Sequence, residues 1–194
     1  MRFPHWFGLA IALTFGGIPL HSSFAMPSQA VQLRDGKVYF VHPPSLVSAA
    51  TTERQAFASS ASYYFVLSIP ADAGEPLQQV DIAQRDGSIR SRLVQYDSEA
   101  SQAFTGTRRD RGDNLNVGEN RFNRDTQTLS VIFDPPVPPG TTVTLILHPK
   151  RNPRQDGTYL FGVTAYPPGT DAYGQFLGYG RLQFDSSDSS SPFS

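Results

Sequence analysis

Residues 128–148 read TLSVIFDPPVPPGTTVTLILH, two β-branched runs on either side of a proline-rich connection. In both runs every second residue is large and apolar: Leu129, Val131 and Phe133 in the first run, and Val143, Leu145 and Leu147 in the second. A period of two is typical of a strand with one buried face. The four prolines between the runs fix φ and withhold backbone donors, so DPPVPPGT (134–141) is expected to leave the sheet.

Six further runs have the same character, since they are rich in β-branched and aromatic residues and are bounded by turn-forming residues. They are KVYFV (37–41), SYYFVLSI (62–69), LQQVDIA (77–83), IRSRLVQ (89–95), TYLFGVTAY (158–166) and FLGYGRLQF (176–184). The run at 62–69 is apolar on both faces, which is typical of an interior strand. RDGS (85–88) has the composition of a hairpin turn, and only part of AATTERQAF (49–57) competes as a helix.

About eight strands with these turns predict an all-β chain, folded as an antiparallel β-sandwich of immunoglobulin-like type. A closed barrel is the alternative. We expect a single domain over residues 26–184, because this length suits one sizeable core. The remainder, DSSDSSSPFS (185–194), is expected to be a disordered tail, since it is polar and rich in Ser and Asp.

The N-terminus predicts export. Arg2 is followed by the apolar run FGLAIALTFGGIPL (7–20), and Ser23 and Ala25 form a small-x-small cleavage site. This arrangement is typical of a secretory signal peptide over residues 1–25, and the run is short for a membrane anchor. A second site ending at Ala30 is an alternative point of cleavage. The sequence therefore predicts a periplasmic or extracellular protein with no integral membrane segment after cleavage.

Composition excludes several functions. The chain has no cysteine, so disulfides, thiol chemistry and lipid attachment through a cysteine are impossible. Its 16 basic and 17 acidic side chains give a formal net charge of −1. A near-neutral chain is not expected to be a general nucleic-acid or anionic-membrane binder.

Catalytic and metal-binding patterns are sparse. After signal cleavage only His42 and His148 remain, each followed by proline, and there is no Gly-x-Ser-x-Gly elbow. A hydrolase site assembled across strands stays open as the lesser alternative, whereas two histidines and Met26 fall short of a tight copper site. We therefore expect no enzyme activity, no catalytic residues, no metal site and no cofactor, and we keep copper or other metal handling as the main alternative function.

Two groups of residues are candidates for binding. GTRRDRGDN (106–114) contains an Arg-Gly-Asp tripeptide and is followed by further arginines. Arg108 and Arg109, with Arg151 and Arg154 from the KRNPR turn, are predicted to form a rim that binds an anion, either a phosphate or an acidic glycan or other envelope component. The alternative is that the arginines are structural, with the chain turning at Gly112 and at least one of Arg108 and Arg109 held against the domain.

The second group is aromatic and lies near the C-terminus. Tyr166, Tyr173 and Tyr179 are predicted to form a platform on which a sugar or peptide stacks. The alternative is that most of the C-terminal rings fill the core, with glycines 174, 178 and 180 making room for them. Strict alternation along 176–184 places Phe176 on the face of Leu182 and Phe184, and Tyr179 on the other face.

The order of motifs resembles an uncharacterised family of secreted cyanobacterial proteins known only as a domain of unknown function. The stretches that carry the resemblance are KVYFVHPP (37–44), GEPLQQVDI (74–82), FTGTRRDRG (104–112), FDPPVPPGTTVTLILHPKRNP (133–153) and GTYLFGVTAYPPG to GQFLGYGRLQF (157–184). The resemblance implies export and a single domain. It does not indicate any particular activity, because none is established for the family. It also makes the Arg-Gly-Asp part of a longer element rather than an adhesion signal. Together these features predict an exported, non-catalytic β-sandwich that acts as a binding or envelope-associated module.

Mass spectrometry of the exported protein tests the signal peptide. We expect an N-terminus at Met26 or Val31, because both follow a small-x-small site. An exported chain that retains Met1 would contradict the prediction.

Overall fold

The structure is a computed structural model that describes residues 31–32, 36–85 and 93–186. These residues form twelve strands and no helix. The strands are β1 (Val31–Gln32), β2 (Val38–Tyr39), β3 (Ser45–Thr51), β4 (Tyr63–Ser68), β5 (Leu77–Gln84), β6 (Tyr96–Gly106), β7 (Arg111–Leu115), β8 (Val117–Asn123), β9 (Thr128–Val137), β10 (Thr142–Pro149), β11 (Gly157–Tyr166) and β12 (Gln175–Phe184). Over the described ranges, nothing has the helical length and apolar character needed to cross a membrane. The expected signal peptide lies outside the described residues.

Ten of the strands make two five-stranded antiparallel sheets. Sheet I has the order β3-β4-β10-β6-β7 and sheet II the order β12-β11-β5-β9-β8, while β1 and β2 form a separate short ribbon. The strand run at 62–69 becomes β4, which lies inside sheet I between β3 and β10. The expected antiparallel, immunoglobulin-like β-sandwich is confirmed.

The core lies between the inner faces of the two sheets. The alternating apolar residues of the opening stretch are all fully buried there: Leu129, Val131 and Phe133 from β9, and Val143, Leu145 and Leu147 from β10. Aromatic rings from both sheets meet at one end, where the centroids of Tyr63 and Phe184 are 5.7 Å apart. Full burial of side chains of this size stabilises the fold by roughly 1.5–3 kcal/mol each.

The proline-rich connection leaves the sheet later than predicted. β9 continues to Val137, which pairs with Leu77 of β5, so the expectation that residues 134–137 leave the sheet is wrong. The register shifts between Leu77 and Gln79, and Pro135 and Pro136 fall inside this irregularity. Prolines are tolerated there because a bulge does not require their missing donors. The turn itself occupies residues 138–141.

Several strands were not predicted. β3 includes residues 49–51 of the possible helix, residues 52–57 are not helical either, and β6, β7 and β8 lie in segments expected to be polar loops. The run expected at 89–95 is not a strand where it is described, at residues 93–95, and residues 86–92 lie outside the described part. β6 carries Ser101 and Ala103 at buried positions, so its sequence lacks a large apolar alternation.

The end of the described chain is paired. Asp185 donates its backbone N–H to the carbonyl of Arg54 and accepts from Ala56, and its carboxylate lies 3.1 Å from the Arg54 guanidinium. The packed chain therefore extends one residue into the segment expected to be a tail. Residues 187–194 lie outside the described residues.

Gly180 fixes how closely the sheets approach. A Cβ added to it would lie 2.6 Å from Cε1 of Phe65 and 2.8 Å from Cβ of Ala49. Both neighbours belong to sheet I, so β12 of sheet II rests directly on β3 and β4. No side chain larger than hydrogen fits at this contact without movement of the core.

We expect Gly180→Ala to lower the free energy of unfolding by about 1–3 kcal/mol, as overpacking of a closed core does. Gly118→Ala is the matched control, because its added Cβ would find its nearest neighbour, Cβ of Asp134, at 3.5 Å. Urea denaturation of both variants makes the measurement. Equal stability of the two would show that the sheets do not meet at Gly180.

Candidate functional site

The Arg-Gly-Asp tripeptide lies in a strand. The turn that joins β6 to β7 comes before it, where the Thr107 N–H donates to the carbonyl of Asp110 at 2.9 Å. Gly106 provides the left-handed residue of this turn, with φ of +88°. Gly112 lies instead in β7, close to Thr105, whose Oγ1 a Cβ at that position would strike. The expectation that the chain turns at Gly112 is therefore wrong.

Arg108 of this turn and Arg111 of β7 lie on the outer face of sheet I. The Arg108 guanidinium lies over the ring of Tyr64, 4.2 Å from its centroid, and that of Arg111 lies over Phe104 at 4.5 Å. This face carries a second apolar layer, in which Val66 and Phe104 are buried although they point away from the core. Arg108 is thus held against the domain by a ring rather than by a carboxylate, a contact worth about 0.5–1 kcal/mol at exposed sites.

Arg109 and Arg151 are not brought together. Arg109 lines a shallow groove with Val47 and Val66, beyond the Gly106 end of β6. Arg151 follows Pro149, which pairs with Tyr96 at the opposite end of the same strand. The length of β6 separates them by roughly 30 Å at about 3.3 Å per residue. A single rim containing Arg108, Arg109 and Arg151 is not formed.

The C-terminal rings divide between core and surface. Tyr159, Phe161 and Phe184 are fully buried, as the core alternative expects. Tyr173 is 47% exposed, stacks on Tyr39 at a centroid distance of 4.9 Å, and has Nζ of Lys37 5.3 Å from its ring. Tyr173 is therefore engaged by the segment before β3.

Phe176 and Tyr179 form an exposed pair on the outer face of sheet II. Each is 53% exposed, and their rings meet edge to face with centroids 5.0 Å apart. Both rings lie over Gly162 of β11, where an added Cβ would be 3.3 Å from Cε2 of Phe176 and 3.5 Å from Cε1 of Tyr179. Because Gly162 has no side chain, both rings approach the backbone of β11 closely, and about half of each side chain remains exposed.

A bulge in β12 places the two rings together. Gly178 pairs with Val163 and has φ of +123°, and the next pairing joins Phe176 to Thr164, so one residue is inserted. The insertion turns Phe176 outward, whereas Leu177 packs against the core. The expectation that Phe176 shares a face with Leu182 and Phe184 is wrong, because strict alternation holds only beyond the bulge.

Polar groups flank the exposed pair. Nε of Arg85 would lie 3.2 Å from the same added Cβ at Gly162, so this cation sits beside both rings. Tyr166 is on the same face of β11, four residues or about 13 Å along, with its ring against Gly174. Its hydroxyl is hydrogen-bonded to Asp81, which also accepts from Nε2 of Gln79 at 2.7 Å. We call Arg85, Tyr166, Phe176 and Tyr179 the aromatic platform.

The two histidines lie at opposite ends of sheet I. Nδ1 of His42 is 3.2 Å from the Asp72 carboxylate at the surface. His148 follows Leu147, which pairs with Tyr63 at the far end of β4. In the described ranges no three His, Asp or Glu side chains converge as a metal site would require.

Ser62 and His148 are the nearest approach to a nucleophile and base. Oγ of Ser62 is 3.3 Å from Nδ1 of His148. Asp97 pairs with His148 in the ladder, yet among the described carboxylates none forms an ion pair with this imidazole. A triad needs the base oriented by a third group, and that arrangement is not assembled here.

The family comparison covers most of the described chain. The model of the family described as "Protein of unknown function (DUF2808)" matches residues 37–184. Comparison with curated proteins gives no significant match.

Solved structures give distant likenesses. "BspA_C_WT" is 12% identical with a TM-score of 0.42, over 72% of this chain and 50% of that one, so the chain spans about half its length. The collagen-binding subdomain of the Enterococcus faecalis surface protein ACE is 9% identical with a TM-score of 0.38, over 73% of this chain and 98% of that one. The major pilin SpaD from Corynebacterium diphtheriae is 11% identical with a TM-score of 0.43, over 72% of this chain and 33% of that one. Similarities this distant do not indicate that this chain binds the partners of those proteins.

Tyr166 gives the platform a pH signature. Burial, then the negative charge of Asp81 and their hydrogen bond, raise the pKa of Tyr166 to about 12. In the unfolded protein the pKa of Tyr166 is about 10, so the folded protein holds the phenolic proton more tightly. The resulting contribution of Tyr166 to stability is complete below pH 10 and is lost as the pH rises towards 12.

We expect Tyr166→Phe to lose less stability than the wild type between about pH 10 and pH 12, measured by urea denaturation across that range. The comparison with the variant isolates Tyr166, since burial also raises the pKa values of Tyr63 and Tyr96. Parallel pH profiles for the two proteins would contradict the raised pKa of Tyr166.

Proposed function

The chain belongs to the DUF2808 family of proteins of unknown function, and we propose that it is an exported, non-catalytic binding module of the cell envelope that holds a glycan on its aromatic platform. The observation that carries the proposal is the exposed pair Phe176 and Tyr179, seated over Gly162. Exposed apolar side chains that touch each other mark an interaction surface more often than singly exposed ones do.

The platform has the composition of a sugar-binding surface. A sugar ring offers an apolar C–H face together with a rim of hydroxyls, and exposed aromatic rings can stack on such a ligand. Hydroxyls need donors and acceptors beside the rings, and Arg85, Gln79 and Asp81 lie on the same face. The rings would hold the sugar faces, and these polar groups would orient them.

The rigid sheet beneath the rings supports binding. The rings stand on two paired strands whose inner faces are packed into the core. A rigid arrangement reduces the entropy lost when a ligand is bound. Among the described residues, Asp81 is the carboxylate beside the rings, and it is already engaged by Tyr166 and Gln79, whereas glycoside hydrolysis normally uses a pair of carboxylates.

The setting proposed for this activity is the periplasm or the cell exterior. The apolar run 7–20 and the small-x-small sites that end at Ala25 and Ala30 support export. The motif resemblance supports a cyanobacterial envelope as that setting. Envelope and extracellular polysaccharides then supply the ligand class.

Binding of neutral oligosaccharides tests the proposal. We expect the wild type to bind at least one member of a panel of envelope and exopolysaccharide fragments, and Phe176→Ala or Tyr179→Ala to bind it about tenfold or more weakly, equivalent to roughly 1.4 kcal/mol. Calorimetric titration makes the measurement, and thermal denaturation checks that both variants fold.

Tyr173→Ala is the matched control, because it removes a ring of similar exposure that is stacked on Tyr39. Its affinity should equal that of the wild type. Loss of binding in Tyr173→Ala with retention in Tyr179→Ala would overturn the platform. Cleavage of the bound oligosaccharide by wild type and not by Ser62→Ala would overturn the non-catalytic assignment.

A further inference from the structure

A cationic pocket opens at the end of the sandwich where β10 leaves sheet I. Its volume is about 370 Å³. The lining residues are Phe57, Leu93, Gln95, Lys150, Arg151, Asn152 and Arg154. Three of them are cations and none is acidic, although the whole chain carries a net charge of −1. Positive charge is therefore concentrated locally on a near-neutral protein.

A neighbouring depression extends the positive surface. It has a volume of about 360 Å³, shares Leu93 and Gln95 with the first, and adds Arg124 and Gln127 from the turn between β8 and β9. Four cations thus surround two adjoining depressions. An extended anionic ligand fits this arrangement better than a single small ion, because successive negative groups along the ligand can each contact one of these cations.

The two arginines of the pocket are positioned by an aromatic ring. The guanidinium carbons of Arg151 and Arg154 both lie 4.6 Å from the centroid of Phe57. A guanidinium that stacks through its face keeps the N–H groups at its edge available, and these match carboxylate and sulfate oxygens in pairs. Phe57 is itself held by a 2.8 Å hydrogen bond from its N–H to the carbonyl of Pro153.

Buried hydrogen bonds hold this frame. Asn152 is 3% exposed, accepts from the Tyr63 hydroxyl at 2.8 Å, and donates to the carbonyls of Glu53 and Gln55. Phe57 has φ of +63°, a conformation that is costly for an aromatic residue and persists where its surroundings fix it. The pocket is therefore a rigid frame rather than a collection of mobile surface cations.

These cations have no internal counter-charge among the described residues. The ion pairs of that part of the chain join His42 to Asp72, Arg54 to Asp185 and Arg121 to Glu119, and none reaches Lys150, Arg151 or Arg154. Like charges gathered in one pocket repel, and an anionic ligand removes that repulsion as it binds. The pocket therefore matches a ligand that brings several negative charges.

We propose that this pocket binds the acidic groups of a polysaccharide, either uronate carboxylates or sulfate esters. Arg151 and Arg154 donate paired hydrogen bonds to one acidic group, Lys150 adds charge beside them, and Arg124 meets the next group along the chain. The choice of a polysaccharide rests on the proposed glycan-binding function, whereas the anion site itself does not. The pocket is distinct from the platform, since it uses none of Arg85, Tyr166, Phe176 and Tyr179.

Titrations with polygalacturonate, dextran sulfate and neutral dextran test this site. We expect one of the two acidic polymers to bind, neutral dextran not to bind at this pocket, and the affinity to fall as sodium chloride rises from about 50 to 300 mM, because exposed charges are screened. Binding of polygalacturonate would indicate that the pocket recognises carboxylates, and binding of dextran sulfate that it recognises sulfate esters. Arg151→Gln combined with Arg154→Gln should weaken binding about tenfold or more.

The matched control combines Arg108→Gln with Arg109→Gln. It removes the same charge at the opposite end of β6 and also takes an arginine off a ring, that of Tyr64. Its affinity should stay within about twofold of the wild type. Arg151→Lys combined with Arg154→Lys keeps the charge but removes the paired donors. Its affinity should therefore lie between that of the control and that of Arg151→Gln combined with Arg154→Gln. Thermal denaturation checks that each variant folds.

Equal loss in the two glutamine variants, or no binding of either acidic polymer, would overturn the site. Tighter binding of a single-stranded DNA oligonucleotide than of both polymers would also overturn it in favour of a nucleic-acid partner. Tyr179→Ala separates the two proposals, because it should weaken neutral oligosaccharide binding and leave acidic polymer binding unchanged. Failure of the platform and failure of the pocket are thus read from different variants.

Discussion

Tyr63 joins the core of the sandwich to the loops at one end of it. Its ring packs among Tyr96, Phe161 and Phe184, so it draws both sheets together. Its hydroxyl donates to Asn152, and burial raises the pKa of Tyr63, which keeps the donor protonated. Asn152 in turn fixes the backbone that carries Phe57. The shape of the cationic pocket is therefore set by the same residue that organises the hydrophobic core.

The predictable part of this fold was the part with large alternating side chains. β4, β5, β9, β10, β11 and β12 were all located from their sequences, because burial of one face requires an apolar residue at every second position. β7 and β8 escaped prediction because they are edge strands with few buried positions, and β6 because Ser101 and Ala103 occupy its buried face. Backbone pairing holds these strands in the sheet, and pairing leaves little trace in side-chain hydrophobicity.

The candidate sites were predictable as residue types and not as groupings. Arginines and aromatic rings make up both candidate sites, but proximity in the sequence does not predict which of them meet. Tyr173 and Phe176 are three residues apart, yet Tyr173 contacts Tyr39 and Phe176 contacts Tyr179. Phe57 and Arg124 come from segments far from Arg151 in the chain, and only the packing of four segments at one end of the sandwich brings their positions near each other. The inserted residue in β12 also shifts the phase of the alternation, and the sequence signals it only through Gly178.

The bulge at Gly178 divides β12 into two parts that are under different packing constraints. On one side of it, Leu182 and Phe184 are held by the core and can vary little in size. On the other side, the inserted residue reverses the alternation, so that Leu177 packs against the core and Phe176 projects outward. Because Phe176 is exposed, its substitution can alter this surface without repacking the interior. One extra residue thus allows the exposed end of β12 to vary separately from the end that is built into the core.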